Sequence, residues 1–309
     1  MGGSPFAQPG GESETLKGNA RVRMFPIIGW LVVLACVGGG YAGGGGHFGV
    51  LWQPFEYVII LGSSIGAFIV ANPKHVLAAT GKGIVSALKG PTYTKDHYLE
   101  LLSLMYAIFK LAKTKGMLAI ESHVERPEES SLFQQFPKFA ADHHAVEFLC
   151  DYLRMMTLGT DNPNEMETLL DAEIETHHNE ALAVATAVQV MGDGMPALGI
   201  VAAVLGVIHT MGSITEPPEV LGKLIGAALV GTFFGVMAAY GFVSPLSASI
   251  TQTINADGKY YQCIKAGLLA HMQGYAPAVS VEFARKTLMS VVRPTFYEVE
   301  EAVAALPPV

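Results

Sequence analysis

Four apolar stretches, each about twenty residues long, leave this chain few ways to fold, because a run of that length matches the hydrocarbon thickness of a bilayer. They are FPIIGWLVVLACVGGGYAGG from Phe25, PFEYVIILGSSIGAFIVAN from Pro54, MGDGMPALGIVAAVLGVIHTMG from Met191, and VLGKLIGAALVGTFFGVMAAYGFV from Val220. Inside lipid every backbone N–H and C=O must find its partner within the segment, so each stretch reads as a helix. The short turns GGGHFGVLWQ and SITEPPE join them into two hairpins, and a long polar region, residues 73–190, separates the hairpins. Composition agrees: half of the 309 residues are hydrophobic and only 15% are charged, against roughly 25% in soluble domains. The fold class expected is all-α, an integral membrane protein with four transmembrane helices and a helical cytoplasmic region.

Charge placement orients the spans. Neither short turn carries Lys or Arg, and Lys223 sits just inside the fourth span; the other basic residues lie before Phe25, in the long middle region and in the tail. The positive-inside rule then places both termini and the middle region of a multi-pass membrane protein in the cytoplasm. A net charge of −8 argues against a nucleic-acid partner, which needs a basic face. Cys36, Cys150 and Cys263 are too scattered for a disulfide framework or a zinc site. His143 with Glu147 and Glu173 with His177 have helical i,i+4 spacing, but read as solvated faces, so neither a metal nor a cofactor is expected. The chain has no Walker loop, no GxGxxG with its acidic follower and no GxSxG, so no enzymatic activity is expected.

The polar segments also read as helices. YLELLSLMYAIFKLAKT has apolar residues at helical spacing, and SSLFQQFPKFAADHHAVEFLCDYLRMMTLG suggests a helix pair or a helix kinked at Pro137. NPNEMETLLDAEIETHHNEALAVATAVQVM opens on an Asn-Pro cap signal and runs into the third span. SPLSASITQTINADGKYYQCIKAGLLAHMQG and APAVSVEFARKTLMS continue helical after the fourth. The expected organisation is a disordered Gly/Ser/Pro-rich leader at 1–23, a first transmembrane hairpin at 24–73 and a cytoplasmic helical domain at 74–190. A second transmembrane hairpin at 191–245 and a cytoplasmic helical tail at 246–309 follow. Met24 is an alternative start.

The spans are rich in small residues, with Gly222 and Gly226, and Gly231 and Gly235, in GxxxG pairs that let helices approach closely. Tight packing within the chain accounts for most of them; packing against copies and a partner is the sharper reading. Pro196 near the start of the third span and Pro245 at the inner end of the fourth each weaken a helical ladder at the same membrane face. Glu56, Asp193 and His209 all sit near span ends by sequence position, which leaves no carboxylate at mid-membrane. Ion relays need a titratable group at depth. A chain of this kind that conducts ions must therefore take its carboxylate from elsewhere.

MGDGMPALGIVAAVLGVIHTMGS followed by LVGTFFGVMAAYGFVSPL resembles the third and fourth spans of the MotA family of flagellar motor stator subunits. GYAGGGGHFGVLWQPFEYVIILGSSIGAFIVAN resembles its first hairpin, and LLDAEIETHHNEA and GYAPAVSVEFARKTL its cytoplasmic segments. The resemblance runs from about Met24 to the C-terminus, and the GDxxPAxGIVAAxxG stretch alone is shared with ExbB and TolQ. It implies a ring of five chains around two helices of MotB, which supplies the ion-carrying aspartate, with proton flow converted to torque on the rotor protein FliG. The family's two functional prolines fall on Pro196 and Pro245. The small and hydroxyl positions facing the partner's aspartate fall on Ala203 and Thr232, with Tyr240 below them. The rotor-facing charges fall on Lys113, where the family often has arginine, and Glu121, and a further acidic position falls on Glu173. An ExbB/TolQ-like proton channel energising an outer-membrane process, a sodium-driven stator subunit and a non-conducting scaffold are the alternatives. The topology is open to a direct check: single cysteines at Ser213 or His47 should react with an impermeant thiol reagent from outside and one at Ser130 should not. Outside labelling at Ser130 would overturn the four-span arrangement.

Overall fold

The computed structural model describes the backbone of residues 11–307 and the side chains of residues 25–307. Residues 1–10 of the expected leader lie outside the described residues. All elements are helical: α1 (Gly11–Gly43), α2 (Phe48–Leu51) and α3 (Pro54–Tyr57), then a π-turn (Val58–Gly62) that leads into α4 (Ser63–Ala71). α5 (Lys74–Lys89), α6 (Lys95–Lys115) and α7 (Leu118–Glu125) follow. A 3-10 turn (Phe133–Gln135) precedes α8 (Pro137–Ala140), α9 (His143–Thr157) and α10 (Pro163–Met211). After α11 (Pro218–Ala238) a second π-turn (Ala239–Val243) leads into α12 (Ser244–Met272), α13 (Pro277–Lys286) and α14 (Phe296–Ala304). Four helices are long and apolar enough to cross a membrane. Among the described residues there is no strand.

The chain divides into two compact units. One takes the segment ending at Gly90 together with Ala181–Thr253, the other Pro91–Glu180 together with Ile254–Val309. These cuts fall elsewhere than the segment boundaries drawn from the sequence, because α5 and part of α10 pack with the apolar helices: Val76, Val184 and Ala187 share one cluster with Phe68 and Ala183.

In the first unit, packing is set by residues that lack side chains. A Cβ on Gly235 would lie 2.6 Å from the Met195 carbonyl oxygen and 3.0 Å from the Gly199 Cα, and one on Gly199 would lie 2.8 Å from the Gly231 carbonyl oxygen. α10 and α11 thus touch backbone to backbone, which only small residues allow. Ile60 of the first π-turn closes this core against Met195, Ala202, Ala238 and Ala239. Trp30 of α1 approaches Phe242 of the second π-turn with ring centroids 6.1 Å apart. The outer faces, including Ile200, Val204 and Ile208 of α10 and Leu229 and Val236 of α11, are exposed.

The second unit has an ordinary close-packed core centred on α6, whose Leu101, Leu102, Leu104, Met105, Ile108 and Phe109 are all fully buried. Thr94 and His97 form a reciprocal cap at its start, and Gly116 ends it with φ 86°, a backbone conformation natural to glycine. Tyr93 stacks on Tyr260 at 3.8 Å and donates its hydroxyl to Asp142 Oδ2 at 2.6 Å. Thr92 donates its N–H (2.7 Å) and its hydroxyl (2.9 Å) to Asp257. The helix pair expected around Pro137 is α8 and α9: Pro137 opens α8, Glu100 Oε1 accepts from the N–H groups of Lys138 (2.6 Å) and Phe139 (3.1 Å), and Asp142 caps α9. Arg285, only 7% exposed, grips Glu282 through two bonds of 2.7 and 2.6 Å and donates to the Pro294 carbonyl. His271 stacks on Phe109 at 4.4 Å with Nδ1 unpartnered.

Two outcomes follow from this packing. Gly235→Ala should destabilise the solubilised protein by about 1–3 kcal/mol in thermal unfolding, because backbone blocks the new methyl. Gly222→Ala, with nothing within 4 Å of the added atom, should be neutral or slightly stabilising; equal melting of the two would refute the close crossing. The second outcome concerns acid. Burial lowers the pKa of His271, with the charge of Lys113 adding to it, and burial likewise lowers those of His97 and His123, from an ordinary value of 6.5. The folded state holds these rings neutral while the unfolded chain accepts protons, so their contribution is complete above pH 6.5 and is lost as pH falls below it. His271→Phe, a flat ring that cannot titrate, should give a shallower loss of melting temperature between about pH 7 and pH 5 than the parent.

Candidate functional site

Pro196 has no N–H to give the carbonyl of Gly192, one turn earlier in α10. That turn is pressed against the other proline's neighbourhood: a Cβ on Gly192 would lie 2.9 Å from Val243 Cγ1 and 3.4 Å from Ser244 Oγ. Val243 closes the second π-turn, and Pro245 comes two residues later at the start of α12. A π-turn widens the helix and leaves backbone groups loosely held, as does proline. The two weakened turns therefore touch. A small polar clasp sits over them, with Gln189 Nε2 donating to Asp193 Oδ1 at 2.8 Å and to Ser244 Oγ at 3.3 Å. Ser247 Oγ donates to the Ala185 carbonyl at 2.8 Å. Pro196 itself is half-buried and Pro245 is exposed.

Further along the same crossing, Ala203 and Thr232 lie side by side. The Ala203 nitrogen is 3.4 Å from the position of a Cβ on Gly231, and the Thr232 Cα is 3.3 Å from that of one on Gly199. The Thr232 hydroxyl leans toward the Gly199 carbonyl at 3.5 Å, too long for a strong bond. Tyr240, within the second π-turn, is 63% exposed. This hairpin thus brings the prolines together at one end of the crossing and Ala203 with Thr232 further along it.

Lys113 and Glu121 belong to the second unit. Both are exposed, Lys113 in the last turn of α6 and Glu121 in the first turn of α7, with Gly116 between them. Neither has an ion-pair partner among the described residues, whereas Lys95, Lys138, Arg154 and Lys265 are all paired. Glu173 stands apart from this pair: it is half-buried on α10, accepts from the Tyr152 hydroxyl at 2.6 Å and faces His177 at 3.8 Å. Burial and the nearby Glu173 raise the pKa of Tyr152, which keeps that hydroxyl a donor.

Three features were not read from the sequence. The π-turns have no compositional signature. Gln189 and Asp193 are an i,i+4 pair and were legible as a link, but their contact with Ser244 depends on the fold. Glu56 starts its span, yet its side chain reaches inward: its Oε2 lies 2.8 Å from where a Cβ on Gly231 would stand, and its Oε1 3.4 Å from one on Gly206. Its side chain thus leans on the α10–α11 crossing, a contact that its position in the sequence does not reveal. The reason is a stagger: α2 and α3, at the turn of the first hairpin, pack partway along α11, with Val50 against Gly226.

Residues 27–116 match the family described as Motility protein A N-terminal, and residues 140–262 the MotA/TolQ/ExbB proton channel family. The chain is 45% identical over 283 residues to Motility protein A of Salmonella typhimurium, covering 92% of this chain and 96% of that protein. It is equally similar to Motility protein A of Escherichia coli and 36% identical over 281 residues to chemotaxis protein LafT of Vibrio parahaemolyticus, covering 91% and 99%. Its fold is similar to a chain of the C. jejuni MotAB structure, with a TM-score of 0.71 at 18% identity over 86% of this chain and 96% of that one. A chain of the flagellar MotAB stator complex from Bacillus subtilis gives 0.66 at 22% identity, over 83% and 92%. With four membrane-crossing helices, an all-helical fold and relatives of this identity along nearly its whole length, the chain is a membrane protein of the Motility protein A family.

Proposed function

We propose that this chain is the stator subunit of a bacterial flagellar motor, which assembles with MotB into a proton channel and converts ion flow into torque on the rotor. The observation that carries the reading is the contact between the turn weakened by Pro196 and the π-turn that leads into Pro245, set beside Ala203 and Thr232 on one crossing. A partner helix whose aspartate gains and loses a proton next to Ala203 and Thr232 changes the charge against that crossing. The proline-weakened turns are where such a change is most easily absorbed, because their ladders already lack bonds. Tyr240, exposed on the π-turn, is positioned to report or bear the movement.

The exposed apolar faces of α10 and α11 suit burial against lipid and against copies of the chain in a ring of five around two MotB helices. The chain sits in the bacterial inner membrane, and the Lys/Arg distribution supports both termini and the polar helices lying inside. There Lys113 and Glu121, exposed and without ion-pair partners, are available to charges on the rotor protein FliG. Glu173, already bonded to Tyr152, contributes a further negative position on α10.

Deleting the gene should leave cells flagellated but non-motile, and co-expression of the intact chain with MotB should acidify the cytoplasm. Swimming unchanged by the deletion would sink the proposal. Neutralising Lys113 or Glu121 singly should be mild, since exposed pairs contribute about 0–1 kcal/mol each. Reversing both should abolish torque while the protein still reaches the membrane. Pro196→Ala restores an N–H and a better helix former. It should assemble normally yet lose most swimming speed, and full speed would leave that proline a mere helix-start residue.

A further inference from the structure

The second span ends at Ala71, and the extended residues Asn72 and Pro73 turn the chain into α5. No Asp or Glu occurs between Glu56 and Asp96. In α5, Lys74, Lys82 and Lys89 recur at about every second helical turn and so fall along one side. All three are exposed, as are Ala78, Gly81 and Val85 between them. None has an ion-pair partner among the described residues. The other side of α5 is committed to packing: Val76 and Ala87 are buried, and a Cβ on Gly83 would lie 2.8 Å from Val184 Cγ1 of α10 and 3.9 Å from Ile250 Cγ2 of α12. Ala187 and Val184 precede the start of the third span at Met191 by about 6 and 10 Å of helix. α5 is therefore docked beside the inner edge of the hydrocarbon, level with a headgroup layer about 5–8 Å thick. Helix energetics do not account for Lys74. It stands in the first turn, at the positive end of the helix dipole, where acidic residues are favoured and where no side chain caps the backbone.

We infer that the exposed side of α5 binds the headgroup phosphates of anionic phospholipids in the cytoplasmic leaflet. Lysine stems can lie along the apolar boundary while their ammonium groups reach the phosphates. Ala78 and Val85 offer little apolar surface to insert, so the grip is one of charge, drawn from basic residues directly inside a membrane span. α1, which packs on α5, adds Arg21 and Arg23 just before its own apolar run opens at Phe25. A phosphate beside Lys74 would also meet the uncapped N–H groups that begin the helix, a setting that favours an anion. Because α5 is wedged against Val184 and Ile250, lipid held on its outer side steadies the inner ends of α10 and α12. This inference rests on the topology proposed above, which puts the end of the second span at the cytoplasmic face.

The test follows thermal unfolding of the detergent-solubilised complex with MotB while dioctanoyl phosphatidylglycerol is titrated in. The anionic lipid should raise the melting temperature of the parent, less so as salt is added. Dioctanoyl phosphatidylcholine and inorganic phosphate at equal concentration should not. Combining Lys74→Gln, Lys82→Gln and Lys89→Gln should raise the lipid concentration needed by on the order of a hundredfold, and Lys82→Gln alone by about fivefold. Lys74→Arg, Lys82→Arg and Lys89→Arg together should keep the response, and so should Lys110→Gln, Lys115→Gln and Lys259→Gln in the second unit. Equal responses of the parent to the two lipids overturn the inference, and so does a response to phosphate equal to that of the lipid. An unchanged response in Lys82→Gln overturns it even where the triple variant does not accumulate. If the triple glutamine variant falls into smaller assemblies with its lipid response intact, the stripe is a contact between copies and the inference is again overturned. Labelling of a cysteine at Ser130 from outside would instead fail the topology, which separates the two readings.

Discussion

The backbone contact between α10 and α11 is the constraint on which the first unit depends. Gly199, Gly231 and Gly235 bring the two helices closer than any side chain would permit. In an apolar solvent there is no hydrophobic force to hold helices together, so close van der Waals approach and matched polar groups must do it. Ala203, Thr232 and the Glu56 carboxyl all lie on or against this crossing. Moving the helices apart by one methyl group would separate Ala203 from Thr232 and unseat both the Glu56 carboxyl and the turn at Gly192.

A crossing this tight cannot flex along its length, which explains why the irregularities cluster beside it. Pro196, the π-turn at Ala239–Val243 and the π-turn at Val58–Gly62 are the places where backbone bonding is incomplete, and Ile60 and Ala239 of the two π-turns share one apolar cluster. The rigid part holds geometry and the loosened part absorbs change. The second unit has the opposite character: an apolar core around α6, helix ends capped by Thr94, Asp142 and Thr295, and Lys95, Lys138, Arg154 and Lys265 paired with carboxylates.

Much of this was legible in the sequence, for physical reasons. A bilayer forces long apolar runs, so the four spans and the two hairpins could be read directly, and prolines and exposed charges announce themselves by residue type. The helix Phe296–Ala304 was overlooked although Thr295 and Glu298 form the reciprocal cap that their T-x-x-E spacing encodes. The contact of Glu56 with Gly206 and Gly231 was not legible because sequence position measures where a backbone enters the membrane. It does not measure how far one hairpin is staggered against another or which way a side chain turns. The π-turns escaped because one extra residue in a helical turn leaves the apolar pattern nearly intact. The place of the break at Pro137 is set by a distant residue, Glu100, which satisfies the free N–H groups of α8.

Gly116 sits between the two exposed charges of the second unit, in a left-handed conformation that sets the step from α6 to α7. α6 is buried along most of its length, and α7 is pinned by Ile120 and Val124. Lys113 and Glu121 are therefore held at a fixed spacing on a rigid base. A push on either is opposed by the whole packed core. What slack remains lies in the two side chains themselves, most of it in the four-carbon stem of the lysine, a compliance that a planar guanidinium gripping two oxygens at once would reduce.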